Sequence, residues 1–361
     1  MRQIERARRA AEIAEVDALL ISPGADLRYL IGYDALLLER LTCLVIPAAV
    51  DPFLVVPELE LPAAHASLGP VRVEIVAWAD TVDPYELIRH RLPGNVGRIL
   101  VDNHMWAEKV LALQAALPRA HFGPANTILG DLRMRKTAQE IASLRAAGAA
   151  IDRVHAEINQ WLSPGRTERQ VARDIADAML QSGHARADFV IVGSGPNSAS
   201  PHHEASDRMI GPGEPVVVDI SGTMPDGYRS DSTRTYSIGA PPAEFLAYYE
   251  VLLAAQSAQV ATAQPGITAG ELDAVGRDII TAAGYGPNFL HRTGHGIGLD
   301  VHEDPYIVAG SPRILATGMA FSIEPGIYFP GRHGARIEDI VICTDDGVET
   351  LNNTPRQLRV L

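Results

Sequence analysis

Five acidic or imidazole side chains in the C-terminal half of this chain have the types and settings that hydrolytic metal chemistry needs. Asp219 closes the apolar run VVVD, and Asp231 lies in the next strand-like stretch, RSDSTRTYS, beyond a turn containing Pro225, Asp226 and Gly227. Acids in a hairpin are usually solvated turn residues, but one that ends an apolar strand is a buried carboxylate, which needs a partner or a cation. A hairpin can bring the two face to face if the register allows. The segment HRTGHGIGLDVHEDP carries His291, His295 and His302, with Gly294, Gly296 and Gly298 leaving the backbone free to pass close to a ligand. Glu324 in SIEPGIY and Glu338 in ARIEDIV both follow isoleucine in apolar segments. Four carboxylates and one imidazole form an oxygen-rich set that suits Mn²⁺, and also Co²⁺ or Zn²⁺. One ion does not need so much negative charge. Two ions roughly 3.5–4 Å apart do, and water held between them ionises readily. His202 and His203, in SASPHHEASD, add a loop imidazole able to move a proton or steady an oxyanion.

The elements that must position these groups fall into two regions. Up to about residue 127 the pattern alternates short Val/Ile/Leu-rich strands at 18–22, 41–47, 52–57, 71–76 and 98–102 with helices near 4–15, 59–67, 84–92 and 106–117, an α/β arrangement. No glycine-rich nucleotide loop occurs in it. Residues 128–136 (LGDLRMRKT) read as a linker. From 137 the pattern is helices at 137–162 and 167–183, strands at 189–195, 215–221 and 227–238, helices at 242–263 and 268–283, and then strands and turns over 318–329 and 335–344. Two helices followed by acid-bearing strands occur twice, a faint sign of internal duplication.

Composition narrows the function classes. The chain has 361 residues, 47% hydrophobic and 21% charged, which suits two folded domains. A net charge of −13 without a basic patch points away from nucleic acid, and part of that excess has a use if carboxylates collect at a cation site. No apolar run is long enough for a bilayer, and the N-terminal stretch reads as an amphipathic helix leading into a strand, so no membrane contact and a cytoplasmic location are expected. Cys43 and Cys343 read as packing residues.

Taken in order, Asp219, Asp231, His295, Glu324 and Glu338 resemble the ligand series of the M24 metallopeptidases, which include methionine aminopeptidase, aminopeptidase P and prolidase. The likeness covers residues 130–361 most closely and is nearest to the short actinobacterial dipeptidases of the family. The earlier region resembles the creatinase-like N-terminal domain of prolidases and aminopeptidases P. The resemblance implies an α/β creatinase-like domain over 1–127 and an α+β pita-bread catalytic domain over 137–361. It also implies two divalent ions, a small peptide substrate and a homodimer. By the same resemblance Asp219 binds one ion, His295 and Glu324 bind the other, and Asp231 and Glu338 bridge. His202 matches an active-site histidine, His302 a histidine at the scissile bond, and His291 a substrate-pocket histidine. Arg336 matches an arginine behind the ligands, also expected at the substrate, and Glu324 is expected to carry the proton. The Asp219–Asp231 spacing of 12 is one longer than the family's commoner spacing, which places an extra residue in the turn near Met224–Asp226. Xaa-Pro dipeptide hydrolysis is the activity implied, with aminopeptidase P activity, a non-catalytic binding role on the same fold, or metal-free creatinase-like chemistry as alternatives.

Overall fold

The computed structural model describes residues 3–67 and 73–361 and divides into two compact units, Met1–Arg133 and Met134–Leu361.

In the first unit, a six-stranded mixed sheet with buried apolar strands at its centre runs in the order Glu74–Trp78, Phe53–Pro57, Cys43–Pro47, Ala18–Ile21, Arg98–Val101, His121–Pro124. Leu20, Val45, Val55 and Ile99 pack with Ile88 and Leu113 of the covering helices Pro84–Arg91 and Ala107–Ala116. Residues 71 and 72 of the fourth expected strand lie outside the described residues, and that strand runs over Glu74–Trp78. Two elements have no counterpart in the sequence pattern. His121–Pro124 is a partly exposed edge strand ending in Gly-Pro, with little apolar side chain to reveal it. Ala25–Ile31 is a two-turn helix between Gly24 and Gly32, the latter closing it at φ 77°. Most of the stretch expected to link the domains is helical, within Asn126–Met134, because Ile128, Leu129 and Met134 are buried along it.

The second unit repeats one plan twice. Helices Ala138–Ala156 and Glu168–Gln181 precede the antiparallel strands Arg186–Ser194, Pro215–Thr223 and Arg229–Ser237, and helices Ala243–Thr262 and Ala269–Ala282 precede a second group of strands. Thr137, Thr167 and Thr268 start three of these helices with reciprocal capping boxes to Glu140, Gln170 and Glu271. The first sheet is closed by Arg359–Val360, parallel to Arg229–Ser237. The second sheet has the order Glu303–Ile307, Gly294–Gly296, Ala320–Ile323, Asp339–Cys343, Val348–Thr350.

Each of the two C-terminal segments, 318–329 and 335–344, holds parts of two strands separated by an interruption. Ala320–Ile323 pairs with Asp339–Cys343 inside the second sheet, whereas Gly326–Phe329 pairs with His333–Arg336 as a separate two-stranded ribbon. The interruptions, at Glu324–Pro325 on one strand and Ile337–Glu338 on the other, face each other across the same gap. Proline cannot donate to a ladder, and apolar residues on both sides hide the break from a period-two reading.

Candidate metal centre and active site

The hairpin Pro215–Thr223/Arg229–Ser237 is an unbroken ladder from Pro215↔Ser237 to Thr223↔Arg229, so all of 224–228 is turn, closed by Met224 N–H donating to Tyr228 O and by Gly227 at φ 91°. Asp219 lies opposite Thr233, and Ser221 opposite Asp231. The two acids are therefore diagonal neighbours on one sheet face rather than a directly facing pair. Two β-carbons explain the glycines that flank His295. A Cβ on Gly294 would sit 1.9 Å from Ser322 O, and one on Gly296 would sit 2.2 Å from Asp304 O, so only glycine lets the His295 strand nest between its neighbours. Glu324 and Glu338 enter from the two interruptions. Freed from their ladders, their backbone N–H groups donate sideways, Glu324 to Thr293 O (2.8 Å) and Glu338 to Thr233 O (3.1 Å).

These elements bring the five side chains together. One ligand atom each from Asp231, His295 and Glu338 lies within 4.8 Å of the other two. His295 Nε2 is 3.0 Å from Glu324 Oε1 and 3.8 Å from Asp231 Oδ2. Asp219 and Glu324 border this trio rather than completing one tight set. Polar neighbours aim the carboxylates. Arg336 Nη2 donates to Asp219 Oδ2 (2.6 Å), Thr233 Oγ1 to Glu338 Oε2 (2.7 Å) and Ser322 Oγ to Glu324 Oε1 (2.8 Å). In each of three acids the other oxygen is left over. Asp219 Oδ1, Asp231 Oδ1 and Glu338 Oε1 are buried with no hydrogen-bond partner.

A buried carboxylate oxygen without a donor is costly, and several together repel. Burial, then the charges of Glu338, Asp219 and Glu324, push Asp231 well above the usual carboxylate range. Burial and the same neighbouring acids do likewise for Glu338, and burial with Glu324 raises Asp219 against the pull of Arg336. Glu324 goes the other way. Burial alone would raise it, but His295 beside it, with His291 and Arg336, holds it down to about 2. The partnerless oxygens, their mutual repulsion and the adjoining imidazole fit divalent cations.

The remaining expected residues are placed as follows. His302 is exposed, and its ring stands edge-on to His295 with centroids 4.1 Å apart. Burial of part of the ring and the neighbouring His295 lower its pKa to about 4. His202 is exposed on its loop and within electrostatic reach of His302. His291 is half-buried with both nitrogens engaged. Nδ1 faces Arg292 O (2.7 Å) and so carries the proton, leaving Nε2 to accept from Tyr328 OH (2.9 Å). Arg336, expected at the substrate, is only 2% exposed. Its guanidinium donates to Asp219, Tyr328 OH (2.8 Å), Thr233 Oγ1 (3.2 Å) and Pro201 O (3.3 Å), so it braces the cluster from behind.

Several supporting groups escaped the sequence reading. Asp339, directly after Glu338, is wholly buried and accepts from Arg234 (2.7 Å), Gln256 (3.0 Å) and Arg356. Its signal was present in RSDSTRTYS, a polar strand that is buried almost throughout. Thr233, Ser322 and Tyr328 carry no comparable mark. A cavity of about 600 Å³ lies along His155, Arg234 and Tyr236, away from the carboxylates. Its histidine and Arg234 are engaged within the protein, His155 with Tyr236 OH (2.8 Å) and Arg234 with Asp339, and it gathers no carboxylate cluster among the described residues, so the chemistry is sought at the acids.

Comparison with known proteins finds matches over both units. Residues 142–345 match the model of metallopeptidase family M24, and residues 3–135 match the creatinase/prolidase N-terminal domain. A dipeptidase PepE structure from Mycobacterium ulcerans superposes with a TM-score of 0.95 at 51% identity, covering 99% of this chain and 96% of that one. A recombinant prolidase from Thermococcus sibiricus gives a TM-score of 0.94 at 34% identity, covering 100% and 98%. The Xaa-Pro dipeptidase of Lactobacillus helveticus is 39% identical over 96% of this chain and 95% of its own length.

Proposed function

The chain belongs to metallopeptidase family M24, and on that premise we propose that it hydrolyses Xaa-Pro dipeptides with two divalent metal ions. Its two units have the creatinase N-terminal and pita-bread folds. One observation carries the metal reading: Asp219 Oδ1, Asp231 Oδ1 and Glu338 Oε1 are buried without donors around His295. Asp219 would hold one ion, His295 and Glu324 the other, and Asp231 and Glu338 both. When bound, the ions supply Lewis acidity at the scissile carbonyl and water that ionises near neutral pH.

The protein's own groups do the rest. Glu324, kept ionised by His295, accepts a proton and returns it to the leaving proline nitrogen. His202 and His302 hold the dipeptide and donate to the oxygen that gains charge during attack. Arg336 and Thr233 fix the aim of Asp219 and Glu338, and His291, tied through Tyr328 to Arg336, lines the substrate pocket. The names of the relatives support a dipeptide substrate. The carboxylate-rich set supports manganese, the resemblance to the family a homodimer, and the two unpaired, buried cysteines a reducing, cytoplasmic location. Among the described residues no helix is long and apolar enough to cross a membrane.

Metal analysis of the purified protein, with Ala-Pro turnover before and after chelation, tests the reading. Bound manganese and turnover that chelation abolishes and Mn²⁺ restores are expected. Metal-free protein with chelator-resistant turnover overturns it. Preference for Ala-Pro over a longer Ala-Pro-Yaa peptide separates a dipeptidase from an aminopeptidase P.

A further inference from the structure

The two exposed histidines at the site share a feature of the chain around them. Each is followed by a residue whose side chain turns inward to a buried ionic partner. After His202 comes His203, whose Nε2 donates to Glu168 (2.8 Å). After His302 comes Glu303, which pairs with Lys136 in a bridge almost sealed from solvent.

Glu168, the first residue of its helix, is fully buried. Besides His203 it accepts from Ser194 N–H and Oγ (both 2.7 Å), Asn197 Nδ2 (3.0 Å), and Ser206 N–H (3.1 Å) and Oγ (2.6 Å). One carboxylate thus gathers the loop that carries His202 at four residues, Ser194, Asn197, His203 and Ser206. His202 itself sits in a turn closed by His203 N–H donating to Ser200 O (3.2 Å). The far side of the loop is fastened to the ribbon that supplies Arg336. Ser198 Oγ accepts from Gly334 N–H (2.9 Å), and Pro201 O accepts from Arg336 Nη2 (3.3 Å). His302 stands next to the strand Glu303–Ile307, and Lys136 reaches the first residue of that strand. A Cβ on Gly298 would come within 2.7 Å of Glu303 Oε1, so the glycine-rich path also makes room for this pair.

We propose that Glu168 and Lys136 are positioning residues that aim His202 and His302 at the substrate, each by anchoring the side chain next to the histidine it serves. The inference rests on the substrate role given above to His202 and His302. A loop imidazole free to swing spends little time where it can meet a substrate, and a small loss of alignment costs far more rate than it costs stability.

A double-mutant cycle in the full-length, Mn²⁺-loaded protein tests this with Ala-Pro as substrate. Glu168→Gln and Lys136→Met should each lower kcat by about tenfold or more with bound metal unchanged. Glu168→Gln added to His202→Ala should be no slower than His202→Ala alone, within about twofold, and Lys136→Met added to His302→Ala should behave alike. If Glu168→Gln does not fold, His203→Ala replaces it, because it removes one contact of the buried carboxylate and leaves the others. Multiplying losses in the double variants overturn the inference, as does wild-type kcat in Glu168→Gln or His203→Ala. Wild-type kcat in His202→Ala and His302→Ala would instead overturn the substrate role of the histidines, and the inference with it, so the two failures are distinguishable.

Discussion

Asp231 and Glu338 are each aimed into a pocket where nothing donates to their second oxygen. Replacing either with alanine should abolish metal retention and lower turnover by about a thousandfold or more, read by metal analysis and Ala-Pro hydrolysis. Tyr328→Phe is a subtler probe. It removes the hydroxyl that accepts from Arg336 and donates to His291, stranding a buried guanidinium donor. A loss of about 1–3 kcal/mol in denaturant unfolding is expected. Glu168 gives a pH signature. Burial would raise its pKa, but its hydrogen bonds from Ser206, Ser194 and His203 outweigh burial and hold it at about 2, against an ordinary 4.5. A depressed carboxylate stabilises the fold above its unfolded pKa and loses that contribution as pH falls through the folded value. Stability should therefore decline between pH 4.5 and 2, and in Glu168→Gln this part of the decline should flatten in acid-unfolding curves. The members of the carboxylate–histidine cluster were legible because their types and settings are unusual: an acid ending an apolar strand, a histidine between glycines, glutamates among isoleucines. Thr233, Ser322 and Tyr328 were not, because one hydroxyl in a strand looks the same whether it braces a ligand or packs.

At the scale of elements, apolar runs bounded by Pro, Gly and Asp disclosed five of the six strands in the first sheet, three of them buried throughout and so read as continuous hydrophobic stretches. The sixth has its edge in partial contact with solvent and lacks that signal. Helix Asn126–Met134 was hidden by the charges of DLRMRK, which lie among residues that are buried along one side. The breaks at Glu324 and Glu338 were hidden for the opposite reason, because the apolar pattern continues across them although the pairing partner changes. Close backbone approach makes its own prediction. Gly294→Ala puts a methyl group 1.9 Å from a backbone oxygen that cannot rotate away. It should cost several kcal/mol, on the order of an overpacked core, and displace His295, detected as a lowered melting temperature together with lost metal. Gly331→Ala, with nothing near its Cβ, meets only the strain of φ 77° and should retain metal and turnover.

For the whole molecule, the proposed ion site predicts that stability depends on ion supply. Cations that bind the folded but not the unfolded chain stabilise it by about 2.7 kcal/mol at a hundred times the dissociation constant. Chelation should therefore lower the melting temperature, and Mn²⁺ titration should restore it with the concentration dependence of binding. Asp231→Asn, which removes one of the repelling charges, should shrink that response. The paired interruptions have a further bearing on how such a protein can vary. Its two glutamates stand on a seam between a broad sheet and a slender ribbon, with Gly331 at the ribbon's tip in open space. Changes of length or residue at that tip leave the ladder on the other side of the seam intact, so the tip can vary while the anchorage of the acids stays put.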